Sequence, residues 1–186
     1  MKVVKHLYKI IKHKYWVMYY CCKAGIPLRG LIHDLSKFHP IEFFESVKYY
    51  QGNSSPIDAC KKDKGYSNAW LHHKSKNKHH YEYWQDNFDN GGEPLCMPYK
   101  YTVEMLCDYL GAGRAYMGKK FTYEGELKWW VKKQSRPIAM HEVQQLFIYR
   151  MLRDLSMKGI KSLNKVNCKS TYYTFIEKYK EEYNEL

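Results

Sequence analysis

The stretch Leu71-His72-His73-Lys74-Ser75-Lys76-Asn77-Lys78-His79-His80 carries four of the nine histidines of the chain. No Gly or Pro interrupts the sequence between Tyr66 and Trp84, which predicts a helix over residues 66–84. Residues seven apart return to one side of a helix, so His73 and His80 would share a face, and His72 and His79 a neighbouring one. Imidazoles pointing in one direction can bind a metal ion, but a solvated basic surface has the same composition.

Composition limits the class of protein. A chain of 186 residues with 45% hydrophobic and 17% aromatic residues is long and apolar enough for one domain with a real core, which excludes a disordered chain. The formal net charge of +12 favours anionic partners such as phosphate esters, nucleotides or nucleic acid.

The six cysteines are irregularly spaced and form no CxxC pair, so neither a zinc ribbon nor a disulfide framework is expected. The N-terminus lacks the continuous apolar run of a signal peptide, and no window is apolar enough to span a membrane. These features predict a cytoplasmic protein with free thiols and no membrane partner, and they leave its oligomeric state open.

Helical periodicity recurs along the rest of the chain. It predicts helices over residues 2–24, 28–38, 41–50, 99–117, 123–134, 138–157 and 170–185, with loops over 51–65 and 85–98. No stretch shows useful strand alternation. The Gly91-Gly92 pair lacks a following helix with Lys-Ser/Thr and is therefore not a P-loop. The sequence predicts a single all-α domain over residues 1–186.

Two polar positions fall on or beside predicted apolar faces. His13 lies close to the apolar stripe of the first helix, where a hydrogen-bonded core histidine is more common than a ligand. His33-Asp34 should lie on a short internal helix whose buried face is formed by Leu28, Leu31, Ile32 and Leu35. There His33 and Asp34 could bind a divalent ion and Lys37 an anionic ligand. Alternatively, Asp34 caps a helix and pairs with Lys37.

Two later positions carry similar alternatives. Glu104 and Asp108 lie one helical turn apart, where carboxylates repel unless a cation is near. One of them could instead pair with a surface lysine. His141 begins the predicted helix 138–157, where its imidazole could bind an anion or simply cap the helix.

Taken together, the order His13, His33-Asp34, the pairs His72-His73 and His79-His80, and finally Asp108 resembles the HD superfamily of metal-dependent phosphohydrolases. His33-Asp34-Leu35-Ser36-Lys37 is similar to the His-Asp-x-Gly-Lys run of the HD-GYP branch, with Ser36 replacing Gly. The chain lacks a Gly-Tyr-Pro motif and is not a member of that branch. A group of small bacterial and phage proteins without an assigned activity carries similar strings, found here at residues 33–37, 49–52, 65–84 and 104–108. The resemblance covers residues 1 to about 150, which would leave about 151–186 as a helical extension.

This resemblance implies an HD-like helical fold with one or two divalent ions (Mn, Fe, Co, Ni, Mg or Zn). His13, His33, Asp34 and Asp108 would hold the first ion, and Asp34 would bridge to a second. His73 and His80 would bind the second ion, with His72 and His79 as the competing choice. The 73/80 face is favoured because Lys76 makes the other face more charged.

The function implied is hydrolysis of a phosphoester, plausibly a nucleotide or cyclic nucleotide, with Asp34 and Lys37 as catalytic residues. Predicted substrate contacts are Lys37, Lys76, Asn77 and His141. Two other functions stay open. A basic nucleic-acid-binding protein would use Lys74, Lys76 and Lys78 on phosphates, with the histidines as polar surface. A di-iron oxygenase would use the same helical fold, and an inactive nucleotide-binding relative is a further variant.

Overall fold

The structure is a computed structural model that describes residues 1–86 and 92–184. Within these ranges the only β pairing is an isolated bridge between Gln85 and Pro94, so the predicted all-α class is confirmed. The described chain forms nine α-helices: α1 (Lys2–Lys23), α2 (Pro27–Ile32), α3 (Pro40–Lys48), α4 (Pro56–Lys64), α5 (Asn68–Lys76), α6 (Tyr99–Met117), α7 (Tyr123–Gln134), α8 (Glu142–Lys158) and α9 (Lys165–Asn184).

Helices α1 and α6 pack closely and antiparallel, as the contacts of Lys9 with Ala115, Val17 with Gly111, and Cys21 with Cys107 indicate. Gly111 makes the approach possible, because a Cβ there would lie 2.4 Å from Val17 Cγ2. The Gly111-Ala112-Gly113 run therefore serves close packing, and α6 continues through it to Met117. This close crossing lets side chains of α1 and α6 meet in the interior.

The apolar core lies between α1, α6, α7, α8 and α9. Helix α1 contributes Val17, Tyr20 and Cys21, and most other fully buried side chains come from the remaining four helices and the connection to α9. They include Leu106, Leu110, Trp130, Phe147, Ile148, Met151, Leu152, Leu155, Leu163 and Cys168. None of the helices in the described ranges is long and apolar enough to cross a membrane.

The predicted loop over residues 51–65 is wrong, because most of it forms α4. Ser55 and Pro56 begin this helix with Pro at its first position, and Gly65 ends it with φ of +81°. These are ordinary helix start and stop signals. The polar, lysine-rich segment between them carries little apolar periodicity, which is why the pattern did not indicate a helix.

The predicted continuous helix over residues 66–84 is also wrong. Ser67 caps the start of α5, with its Oγ accepting from the Trp70 amide at 3.1 Å. The helix then ends at Lys76, because Asn77 adopts an extended backbone and its Nδ2 donates to the His73 carbonyl at 2.8 Å. His79 and His80 consequently lie beyond the helix, before a 3-10 turn at Tyr81–Tyr83.

The apolar face predicted for residues 28–38 is not buried. Leu28 and Leu31 are 76% and 59% exposed, and Ile32 and Leu35 are also exposed. Gly30 is the residue of α2 that faces α1, where a Cβ would lie 2.7 Å from the Cys21 Cβ. Because α2 ends at Ile32, His33-Asp34 is not on a helix, although both side chains are buried as expected.

The remaining boundaries differ less. The predicted helices 99–117 and 123–134 agree with α6 and α7, whereas α8 starts four residues later than predicted, at Glu142, and α9 starts earlier, at Lys165. Part of the predicted loop 85–98, residues 87–91, lies outside the described residues. The suggested division near residue 150 falls within α8 and stays a prediction.

Candidate metal centre

Four side chains from separate segments converge in the interior. His13 comes from α1, Asp108 from α6, and His33 and Asp34 from the segment after α2. His13 Nε2 lies 3.4 Å from Asp34 Oδ2 and 3.1 Å from Asp108 Oδ1. His33 Nε2 lies 3.3 Å from each of the same two oxygens and 3.4 Å from His13 Nε2. We call these four residues the first group.

The spacing within the first group fits a bound cation. Protein nitrogen and oxygen ligands lie about 2.0–2.2 Å from a transition-metal ion, so neighbouring ligand atoms are about 3.0–3.5 Å apart. The measured separations of 3.1–3.4 Å fall in that range. All four residues are buried, and their ligand atoms could hold one metal ion.

A second group uses the other oxygen of Asp34. His73 Nε2 and His79 Nε2 lie 3.3 and 3.4 Å from Asp34 Oδ1, and half-buried His80 completes a set that could hold another ion. The structure thus brings together His73, His79 and His80. The favoured pair, His73 and His80, therefore lies within this group, and of the competing pair His79 joins it but His72 does not, because the chain turns at Asn77 and carries His79 inward beside His80.

Asp34 has an unusual environment for a carboxylate. Both of its oxygens are buried without a hydrogen-bond partner of good geometry, although five nitrogen atoms lie within 3.4 Å of them. It is also the one non-glycine residue in the described ranges with positive φ, at 54°. Backbone strain of this kind persists only where the surroundings impose it, and it commonly marks functional sites. Here it directs one carboxylate oxygen into each group.

Two further carboxylates orient the imidazoles from behind. Glu42 Oε2 lies 2.7 Å from His73 Nδ1, and Glu104 Oε1 lies 3.0 Å from His33 Nδ1. Ionised carboxylates only accept hydrogen bonds, so each Nδ1 carries the proton and each Nε2 presents its lone pair to the site. Carboxylate–histidine pairs of this kind fix the ring and raise its basicity as a ligand.

The pKa values of the site follow from these contacts. Burial alone would raise the pKa of Glu104, but hydrogen bonds from His33 and His79 lower it to about 2. Burial would likewise raise the pKa of Asp34 and Asp108, yet the neighbouring cationic and imidazole groups hold both well below the usual range. Burial and neighbouring imidazoles lower the pKa of His79 and His80. Burial would also lower the pKa of His33, but Asp34, Asp108 and Glu104 raise it well above the ordinary value, so a metal ion would displace a proton from His33. Neutral imidazoles and ionised carboxylates are the forms that bind metal ions.

The charges of the centre are not balanced by its own side chains. Burying ionised groups without compensation is costly. The cations in direct contact with the carboxylates are Lys37, whose Nζ is 2.5 Å from Asp34 Oδ2, and Arg29, whose Nη2 is 2.7 Å from Glu104 Oε2. They face four buried carboxylates, Asp34, Glu42, Glu104 and Asp108. A divalent cation would offset negative charge that a proton on His33 otherwise compensates in part.

The other predicted site residues have different surroundings. His72 belongs to none of the ligand groups, and its Nδ1 bonds Glu42 Oε1 at 2.6 Å. Asn77 supports the site by donating to Ser36 Oγ and the His73 carbonyl, while Lys76 is exposed beside it. His141 caps α8 through its Nδ1 and packs on Tyr179, and it belongs to neither group of candidate ligands within the described residues.

Sequence reasoning missed four supporting residues. Glu42 and Arg29 were not singled out, and Glu104 was noted only as a neighbour of Asp108 that would need a cation. That cation is Arg29, which lies 75 residues away in the sequence. Lys14 of α1 was not singled out either, although its Nζ donates to the carbonyls of Leu31 and His33 at 2.7 Å each and so holds the backbone before Asp34.

Comparisons with known proteins give a family without an activity. No curated protein and no solved structure matches this chain. A family profile does match residues 2–154, a span that includes every residue of both groups. The chain therefore belongs to DUF5662, a family of unknown function.

Proposed function

We propose that this protein is a metal-dependent hydrolase of phosphoesters. The observation that carries the proposal is the position of Asp34, whose two oxygens each face a separate group of buried imidazoles. A carboxylate shared in this way suits two divalent ions held side by side. A single ion in the first group would be the simpler form, and both forms use His13, His33 and Asp108.

Divalent ions bound there would supply Lewis-acid stabilisation of phosphoryl oxygens and acidify a coordinated water. The protein residues supply position and charge. The αL backbone of Asp34 and the contacts of Glu42 and Glu104 hold the ligands in place without reorganisation during the reaction. Lys37 is 27% exposed and can bind a non-bridging phosphoryl oxygen while it contacts Asp34. Its pKa, raised to about 12 by Asp34 against the effect of burial, keeps the ammonium charged.

Two further features support an anionic substrate. The net charge of +12 raises the local concentration of anions around the molecule. The order of the ligands along the chain is the one that the resemblance to the HD superfamily implies, including a bridging role for Asp34. The nucleic-acid alternative assumed that the histidines form a polar surface, but His13, His33, His73 and His79 are buried.

The test begins with elemental analysis of protein purified without chelators. Phosphate release from phosphomonoesters and phosphodiesters is then measured with Mn, Fe, Co, Ni, Mg and Zn. We expect bound metal and metal-dependent phosphate release. Asp34→Asn should lose both while remaining folded, because Asn tolerates the αL backbone that Asp34 adopts. Asp58→Asn, on the exposed side of α4, is the matched control and should behave like the parent.

Two results would overturn the proposal. The first is a metal-loaded protein that releases no phosphate from any ester with any of the six metals. The second is an Asp34→Asn variant that retains metal and activity. Iron-specific loading accompanied by oxygen uptake, with no phosphate release, would replace hydrolysis by the oxygenase alternative.

A further inference from the structure

A cavity of about 210 Å³ opens beside the first group. His13, Asp108 and Lys37 form one end of it, so two candidate metal ligands and the candidate phosphoryl-binding ammonium face the same space. Glu42 also lines the cavity, from behind His73. If the site hydrolyses phosphoesters with Lys37 on the phosphoryl group, this cavity is the space beside His13, Asp108 and Lys37 that can take the remainder of the substrate.

The cavity extends from the candidate metal centre along helices α1 and α6. Because α1 and α6 are antiparallel, α1 from His13 to His6 and α6 from Asp108 to Tyr116 run side by side for two turns, roughly 10 Å. Between those ends the walls are apolar, formed by Ile10 and Ala112, with Pro56 and Ile57 at the start of α4 covering the opposite side. Such walls recognise a hydrocarbon group by removing it from water.

At the far end of the cavity the ammonium of Lys9 is held against the wall. Its Nζ donates to the Ala115 carbonyl at 3.3 Å and lies 4.6 Å above the Tyr116 ring. His6 packs against the rings of Phe43 and Tyr50. Burial and the charge of Lys37 lower the pKa of His6 to about 4, so its imidazole is neutral at physiological pH.

The volume limits the size of the organic group. Cavities near 150 Å³ hold benzene, and drug-sized ligands occupy about 300–1,000 Å³. A cavity of about 210 Å³ therefore accepts roughly ten non-hydrogen atoms. A phosphoryl group with one small ring or branched alkyl group fits within that limit, whereas a whole nucleotide exceeds it.

We propose that the substrate is a phosphomonoester with a single small, uncharged, largely apolar group that lies between Ile10, Ile57 and Ala112. This inference rests on the proposed function and narrows its substrate class. It replaces the nucleotide predicted from the sequence by a smaller ester, because the cavity does not have the volume for a base and ribose.

The test measures binding separately from turnover. Methylphosphonate, phenylphosphonate, naphthylphosphonate and AMP are titrated by calorimetry into metal-loaded protein. We expect phenylphosphonate to bind at least tenfold more tightly than methylphosphonate, because the ring buries apolar surface, and more tightly than the two larger ligands. Hydrolysis rates of the corresponding phosphate esters should follow the same order.

Two cavity variants sharpen the test. Ala112→Leu fills the cavity and should reduce the affinity for phenylphosphonate at least tenfold, leaving metal content and methylphosphonate binding unchanged. Ala139→Leu, at an exposed position outside the helices, is the matched control. Ile57→Ala enlarges the cavity from a different helix and should improve naphthylphosphonate binding relative to phenylphosphonate.

The outcomes separate the two proposals. Tighter binding of AMP than of phenylphosphonate, or equal effects of Ala112→Leu on methylphosphonate and phenylphosphonate, would overturn the inference about the substrate. Selective phenylphosphonate binding that both cavity variants alter, without hydrolysis of any ester, would support the cavity and overturn the hydrolase.

Discussion

Two interiors of the fold share α1 and α6 but differ in how they accommodate buried charge. The polar interior, between α1, α5 and α6, contains both groups of candidate ligands and their supporting carboxylates. The apolar interior, between α1, α6, α7, α8 and α9, is filled by Trp130, Phe147 and their neighbours. Most side chains of both interiors are buried. A high degree of burial therefore does not distinguish a structural core from a candidate chemical site. What distinguishes them is whether a buried carboxylate has hydrogen-bond and ion-pair partners.

Two buried glutamates make the difference concrete. In the polar interior Glu104 accepts from His33 and Arg29, and its pKa falls to about 2. On the apolar side Glu126 of α7 is only 7% exposed and packs over Gly113, and its carboxylate has no hydrogen bond or ion pair within the described residues. Burial alone raises its pKa to about 7. In the polar interior the partners of Glu104 keep its carboxylate ionised. In the apolar interior burial without partners favours the protonated form of Glu126.

The largest expected effect is from removing the partner of the ionised glutamate. Arg29→Met deletes a guanidinium whose Nε and Nη2 both lie 2.7 Å from Glu104 Oε2. A buried carboxylate that loses its cation destabilises the fold by about 3–4 kcal/mol. Urea unfolding at pH 7.5 measures this change. The double variant Arg29→Met/Glu104→Gln should recover most of the loss, and a single variant with parental stability would show that the imidazoles alone balance Glu104.

A smaller effect, with a defined pH dependence, is expected at Glu126. Its pKa in the folded state is raised from the ordinary 4.5 to about 7, so the folded protein holds an extra proton between these values. The contribution of Glu126 to the free energy of unfolding therefore falls as pH rises from about 4.5 to 7, and it remains low at higher pH. Glu126→Gln should match the parent near pH 4.5 and be more stable by about 2–3 kcal/mol at pH 8.

Thermal unfolding of both proteins across this pH range tests that expectation. Glu124→Gln is a suitable control, because Glu124 lies on the exposed surface of α7 and pairs with Lys128. Parallel pH curves for the parent and Glu126→Gln would mean that Glu126 is ionised in the fold, and the proposed contrast with Glu104 would then be lost.

The sequence predicted much of the polar interior for an identifiable reason. The residues chosen from the order His13, His33-Asp34 and Asp108 do lie close together in the structure. Their order along the chain does not depend on where each helix begins or ends, so the errors in helix boundaries did not affect this prediction. The choice among the later histidines depended on one continuous helix. Asn77 ends α5 by bonding the His73 carbonyl, an event that periodicity does not register because Asn is tolerated within helices.

The supporting carboxylates were harder to predict, since their partners are distant in sequence. Glu42 lies on a predicted amphipathic helix and resembles any surface glutamate until α5 packs against it and brings His73 within 2.7 Å. For Leu28 and Leu31 the error was the reverse: their helical spacing predicted a buried face, but both side chains are exposed. Apolar spacing indicates burial only when a neighbouring helix covers that face. Tertiary packing decided both cases.

The smallest expected effect compares the same substitution in the two interiors. Glu42→Gln removes the charge that Nδ1 of His73 faces, so the imidazole becomes a poorer ligand, and metal affinity should fall roughly 10–100-fold, about 1.4–2.7 kcal/mol. Chelator competition measures this affinity. Glu126→Gln should leave the affinity unchanged but raise stability at pH 8. Equal metal affinities of the two variants would mean that the Glu42 charge does not strengthen His73 as a ligand, which would contradict the supporting role given to Glu42.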